Sequence, residues 1–477
     1  MSDGPRRRPD RGAGRGPAPQ DARVQPARQV AYDVIAAVRE SDAYANLLLP
    51  TRLKRAALTG PDAALATELT YGTLRMQGYY DRVIALAAGR PVSAIDPAVL
   101  DVLCLGTHQL LSMRVPSHAA VNESVALARQ VASRSATGFT NGVLRAIART
   151  SPEEWRERVL AEARNADDRL SAEYSHPVWV VRAFRQALRA EGREDELTAL
   201  LAADNDAPQV NLVALPGLAL PSEAQAAGEP DAYAPTGLKL AGGDPLEVVS
   251  RSGGRIRVQD EGSQIAALAL SRARPVQPGE RWLDLCAGPG GKAALLAAEA
   301  LAGGAGLIAN EVVPARAELV RNALAAVPGD VPVWETDGTR IAETHPESFD
   351  RILLDAPCTG LGALRRRPEA RWRKEPADVA ALSGLQAALI DAALGALKPG
   401  GLLAYVTCSP HLGETRGIVA GALKTWGDRV ADVDTASVVQ RFARSELDLA
   451  GPGTQVQLWP HREGTDAMFI TLLTRIR

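Results

Sequence analysis

At 477 residues the chain is long enough for two or three domains with substantial cores. Its 46% hydrophobic and 23% charged content is ordinary for a globular protein, and a net charge of −2 excludes a uniformly basic nucleic-acid binder, so any RNA contact has to be local. No apolar run reads as long enough to cross a bilayer and the N-terminus carries no hydrophobic signal core, which excludes a membrane or secreted protein at the level of expectation.

Residues 1–22 hold Gly, Pro, Arg and Asp with almost nothing to bury, so a disordered tail is expected; Arg6, Arg7, Arg8, Arg11 and Arg15 could touch a phosphate backbone without sequence preference. From 23 to 155 the pattern is helical. Ala31, Val34, Ile35 and Val38 recur at i, i+3, i+4 and i+7, Phe139, Val143 and Ile147 at i, i+4 and i+8, and Pro91, Pro97 and Pro116 divide the run. An all-α domain follows. Residues 156–257 read as a connector. Helices extend to about 202 after the start signal at Ser151–Glu154. A Pro- and Gly-rich small α/β stretch comes next, with strands expected at Gln209–Leu215 and Leu246–Val249, and with Arg251, Arg255 and Arg257 as a modest basic edge.

The last domain, 258–477, alternates strand and helix. Trp282, Leu283 and Leu285 form a short buried strand; Gly288, Pro289, Gly290 and Gly291 break it; an Ala/Leu-rich helix follows. Strand, glycine turn and helix is how an α/β sheet builds a nucleotide or cofactor site. The dinucleotide fingerprint is represented only by Gly-x-Gly, and a phosphate loop would need Gly at Cys286 and Ser or Thr at Ala293. Further strands are expected at Gly306–Asn310, Val331–Trp334, Phe349–Leu354 (nearly all apolar, hence buried on both faces), Leu402–Val406, and near 455–459 and 468–475, with a long helix over about 378–397. The alternation implies a doubly wound, mostly parallel, Rossmann-like sheet.

Ligands in such a sheet bind beyond the carboxyl ends of the strands. Those ends carry Cys286–Lys292, Glu311, Asp337, Asp355-Ala356-Pro357-Cys358 and Thr407-Cys408-Ser409. An acid ending the second strand suits ribose hydroxyls, and Asp337 can accept from an adenine amino group, demands that S-adenosylmethionine and NAD share. Hydride transfer has no use for thiols; methylation of cytosine carbon 5 does, because a thiolate must first add to carbon 6. Cys408 precedes an expected helix N-terminus, Cys358 sits in an exposed Pro-Cys-Thr-Gly turn, and the residues alone leave open which one attacks. Asp355 is placed to hold the cytosine edge or assist proton transfer. Cys286 reads as backbone lining and Cys104 as core. The four cysteines lie far apart with no metal-type spacing, so a reduced, cytoplasmic protein without metal is expected; it is also expected to be a monomer. Arg365, Arg366, Arg367, Arg371, Trp372, Arg373 and Lys374 follow Cys358 closely, and cations beside an indole suit phosphate contacts and base stacking on RNA.

CAGPGGK, NEVVPAR, TDG, LLDAPCTGLG with RRRPEARWR, and YVTCSP resemble the motif series of the Nop/Sun RNA cytosine-5 methyltransferases, over about 258–477. VNESVALAR and GFTNGVLRAIAR resemble the NusB-like, RNA-binding domain of the Sun/Fmu-type bacterial enzymes that modify 16S ribosomal RNA. The resemblance implies that Cys286, Ala287, Gly288, Pro289, Gly290, Gly291, Lys292, Glu311, Asp337 and Asp355 bind S-adenosylmethionine, that Cys408 is the nucleophile, and that Cys358 helps release the product. Gly288 stands where the family commonly has a second Ala, and 209–256 matches poorly. Two rival readings are a methyltransferase for an exocyclic amine or a protein, and a non-catalytic RNA-binding factor.

Overall fold

The computed structural model describes residues 24–41 and 43–477. The tail over 1–22, with its five arginines, lies outside the described residues. The chain forms two compact units, one of residues 24–73 and 80–156, the other of 74–79 and 157–477.

The first unit is helical, built mainly from Pro26–Ser41, Ala45–Arg55, Gly60–Arg75, Gln77–Ala88, Pro97–Leu111, Ser117–Val131 and Arg134–Ala148. Ala31, Val34, Ile35 and Val38 are all buried, as their spacing requires. The helix Pro97–Leu111 starts with Pro at its first turn and with Asp96 accepting from Ala98 N and Val99 N, and it is buried over most of its length.

In the second unit, four short strands, β1 (Asn211–Ala214), β2 (Gly228–Pro230), β3 (Gly237–Leu240) and β4 (Ile256–Val258), form an antiparallel sheet in the order β2-β3-β1-β4. The expected strand Leu246–Val249 is instead the helix Pro245–Arg251. Asp244 caps it by accepting from Leu246 N, and Pro245 occupies the first turn; these start signals outweigh the β-preference of two adjacent valines.

The large sheet contains β5 (Arg281–Asp284), β6 (Gly306–Asn310), β7 (Val333–Trp334), β8 (Phe349–Asp355), β9 (Leu397–Thr407), β10 (Val430–Asp432), β11 (Gln455–Gln457) and β12 (Phe469–Arg475). Its order is β10-β12-β9-β8-β5-β6-β7, with β11 on β12. The strands β7-β6-β5-β8-β9 are parallel; β12 runs antiparallel between β9 and β10. Strand order reverses between β5 and β8, the switch point at which α/β sheets bind ligands. One face packs under the helices Glu261–Ser271 and Gly291–Ala302, the other under Pro376–Ala396 and Arg416–Trp426. Lys398-Pro399-Gly400-Gly401, expected to follow a helix and precede the strand, is accommodated inside β9. The β8 register there steps from Phe349↔Leu397 to Arg351↔Leu402, and Gly400 takes φ +77°. Contrary to the sequence expectation, one helix, Pro376–Ala396, is long and apolar enough to cross a bilayer by length and composition. Leu389, Ile390, Ala393 and Leu394 of this helix are buried in the core on the sheet.

Strand β8 is not wholly apolar. Arg351 is fully buried, and its guanidinium donates to Glu280 Oε2 at 2.9 Å and to the carbonyls of Leu270, Ser271, Arg274 and Pro275 at 2.7–3.1 Å. A buried charge survives only with such complete pairing. Arg351→Met is therefore expected to destabilise the unit by about 3–5 kcal/mol, because Glu280 loses its close buried cation and keeps only Trp282 Nε1 at 2.8 Å and Arg274 at 4.0 Å, while four buried carbonyls lose their donor. Urea unfolding measures this, and an unchanged midpoint would contradict the role.

Candidate active site

The turn after β5 and the ends of β6, β7, β8 and β9 lie on one rim of the sheet. Gly290 has φ +99°, and a Cβ there would lie 2.5 Å from Ala323 Cβ, so only glycine lets the chain turn into the helix Gly291–Ala302. Asn310, which sequence reasoning passed over, ties three strand ends together. Its amide donates to the carbonyls of Leu285 and Thr336 at 3.1 Å, and its Oδ1 accepts from Thr336 N. Glu311 follows, buried, accepting from Val313 N at 3.0 Å with Arg316 Nη2 at 3.5 Å. Arg316 also donates to Gly288 O at 2.9 Å. A Cβ at Gly288 would stand 2.2 Å from Glu311 Oε2, so the glycine makes room for this carboxylate against the turn. Asp337 is exposed; its Oδ1 accepts from Thr339 N and Oγ1, and these bonds hold its carboxyl below the usual range.

At the switch point Lys292 Nζ meets Asp355 Oδ2 at 2.8 Å. Burial opposes the ammonium, but Asp355, then Cys408 and Asp284, raise its affinity for the proton overall. Asp284, at the end of β5, is buried, and neither of its oxygens has a hydrogen-bond partner of normal geometry. Burial, reinforced by Asp355, pushes its carboxyl up to about 8.

Cys358 Sγ and Cys408 Sγ are 3.5 Å apart. The hydrogen bond from Cys358 lowers the Cys408 thiol below its ordinary value; burial and Asp355 oppose this, while Lys292 and Arg367 support it. Cys358 is displaced well upward by that same bond, by burial, and by the charges of Cys408, Glu414 and Asp355. The pair thus favours a thiolate at 408 with a thiol donor at 358. The expected helix N-terminus beside Cys408 is not the cause, since that helix begins only at Arg416. Around the thiols, Gln386 Nε2 donates to Pro357 O at 2.8 Å, and Gly362 N donates to Cys408 O at 2.9 Å. Cys286 is partly buried, and burial displaces its thiol upward, which suits a lining role rather than a reactive one.

The basic run divides. Arg365 is buried and donates to Gly464 O at 2.8 Å. Arg366 pairs with Asp260 at 2.6 Å and Asp466 at 3.0 Å. Arg371 has no exposed surface and donates to Ser175 O and Asn205 Oδ1, both at 2.9 Å; burial lowers its guanidinium to about 10. These three were expected to face RNA and instead hold the unit together, because their charges meet acids and carbonyls brought in from distant sequence. Arg367 and Trp372 are exposed and Arg373 half-buried.

Residues 273–474 match the model of the 16S rRNA methyltransferase RsmB/F family, and residues 25–149 that of the NusB family. A candidate methyltransferase of Mycobacterium tuberculosis strain H37Rv is 46% identical over 100% of this chain and 99% of that protein. Ribosomal RNA small subunit methyltransferase B of Pseudomonas putida is 33% identical over 89% of this chain and 95% of its own length. The chain belongs to the RsmB/F family of 16S rRNA methyltransferases. The crystal structure of PH0851 shares the fold (TM-score 0.77, 22% identity, 96% of this chain and 100% of that one).

As an RsmB/F member the chain is an S-adenosylmethionine-dependent rRNA methyltransferase with a NusB domain. The site fits that cofactor: a glycine turn at the switch point, two strand-end acids, and a buried carboxyl at Asp284 still lacking a donor. Among the described residues no group of three or more His, Cys, Asp or Glu side chains is arranged to hold a metal ion.

Asp284 titrates near 8 when folded and near 3.8 when unfolded, so between these values the folded chain holds the extra proton and loses stability as pH rises. Asp284→Asn is expected to remove this slope, at most about 1.4 kcal/mol per pH unit. Urea midpoints of the cofactor-free proteins at acidic and mildly alkaline pH measure it; parallel pH profiles would refute the assignment.

Proposed function

We propose that the chain methylates carbon 5 of a cytosine in 16S ribosomal RNA through a covalent adduct on Cys408. The observation that carries this reading is the 3.5 Å pair of thiols beside Lys292, with Cys408 the more acidic member. A methyltransferase acting on an exocyclic amine or on oxygen has no need of either thiol.

In this reading Cys286–Lys292, Glu311, Asp337 and Asp355 hold S-adenosylmethionine. When bound, that group supplies an electrophilic methyl on its sulfonium. The Cys408 thiolate forms a bond to C6 of the cytosine, and the electrons of C5=C6 move into the ring, making C5 nucleophilic. Asp355, anchored by Lys292 through one oxygen, offers the other to the cytosine edge. After methylation a base takes the C5 proton, the C5=C6 bond re-forms, and the S–C6 bond breaks. Cys358 assists this release by donating its hydrogen bond to the departing Cys408 sulfur. Arg367, Trp372, Arg373 and Lys374 are the remaining candidates for RNA contact from the basic run, and the NusB domain helps select the rRNA. The enzyme acts as a monomer in the cytoplasm.

Cys408→Ala is expected to reduce transfer of labelled methyl to RNA by several orders of magnitude, the scale of losing a nucleophile. Retained activity would refute the covalent route. Cys358→Ala should leave the adduct unresolved, seen as RNA bound to protein through denaturing electrophoresis; its absence would remove the division of labour. Bisulfite sequencing of the RNA product tests the position methylated.

A further inference from the structure

Glu414 lies between β9 and the helix Arg416–Trp426 and is completely buried. Its carboxylate accepts from Thr359 N at 2.8 Å, Thr359 Oγ1 at 2.5 Å and Ser409 Oγ at 2.7 Å, with Gln386 Nε2 at 3.5 Å. Thr359 follows Cys358 and Ser409 follows Cys408. One carboxylate therefore grips the neighbour of each thiol, joining two turns that lie 50 residues apart. Thr359 Oγ1 and Ser409 Oγ, at 3.2 Å, close the ring. Tyr405 OH donates to the Glu414 carbonyl at 2.7 Å, which holds the backbone of the residue in place.

All these donors are neutral, so the buried negative charge is solvated without being cancelled. It bears on Cys358, whose ionisation it opposes, whereas Lys292 and Arg367 favour ionisation of Cys408. Asp355 opposes both thiols. His411 contributes little charge, since burial holds its imidazole below the usual value, and Tyr405 stays neutral in the core.

We infer that Glu414 is the positioning residue that determines which thiol attacks: by gripping Thr359 and Ser409 it sets the spacing of the two turns and holds Cys358 at hydrogen-bond distance from Cys408 as the donor. The inference rests on the reading of Cys408 as nucleophile. It assigns to Glu414 no contact with RNA or cofactor.

The test uses the full chain and two readouts. Iodoacetamide labelling across neutral to alkaline pH, followed by peptide mass spectrometry, gives the ratio of alkylated Cys408 to Cys358. Steady-state methylation gives kcat and KM. In the wild type Cys408 is expected to be labelled first. Glu414→Gln keeps the shape and removes the charge; the labelling ratio is expected to fall about tenfold, one pKa unit of lost discrimination. kcat should drop roughly 100-fold, the scale of an ångström misplacement, while KM for S-adenosylmethionine stays within about twofold. Thr359→Val removes one donor and leaves the charge, so it should lower kcat but preserve the labelling ratio; it also carries the test if the first variant fails to fold. A wild-type ratio in Glu414→Gln, whether or not stability falls, would overturn the inference. Methyl transfer surviving in Cys408→Ala would defeat the nucleophile reading instead, and the labelling ratio would still report on Glu414.

Discussion

The ion pair between Lys292 and Asp355 joins the two strand ends that flank the switch point. Lys292 is the second residue of the helix that follows the glycine turn after β5, and Asp355 is the last position of β8, so a single 2.8 Å contact ties the start of that helix to the segment that carries Cys358. Both partners are largely withdrawn from water, where an unpaired charge would be expensive. The same ammonium acts on Cys408 from a third strand. Geometry of the turn, charge of the carboxylate and acidity of the thiol are therefore coupled through one cation.

Much of this arrangement was legible in the chain itself. Short apolar runs alternating with helical stretches located the parallel strands and the helices between them, and the strand-end rule then gathered Glu311, Asp337, Asp355, Cys358 and Cys408 onto one rim. What escaped were features whose meaning depends on partners far along the chain. Glu414 sits in a loop with no local pattern, and its significance appears only with Thr359, 55 residues away. Arg351 interrupts an apolar strand, and Glu280 with the carbonyls of Leu270, Ser271, Arg274 and Pro275 explains why it is tolerated. Leu246–Val249 failed for a local reason, an Asp-Pro start signal that competes with valine's β-preference.

Glycine at 362 shows how close packing and site geometry are one problem. A Cβ there would lie 2.1 Å from Ala467 O, and the bare backbone instead exchanges hydrogen bonds with Cys408 O and Ala467 N. The segment leading into the antiparallel β12 is thereby held against the loop of Cys358 and the turn of Cys408. Strand β12, outside the parallel core, helps keep the thiols in register.

The inward-turned arginines bear on how the enzyme meets its polyanionic substrate. Arg365, Arg366 and Arg371 are already compensated by acids and carbonyls of their own chain, so they displace no condensed counterions when rRNA arrives. A run that looks like a dense cationic patch in one dimension thus supplies few phosphate neutralisations in three. Its share of the ionic-strength dependence of rRNA binding is correspondingly shallow.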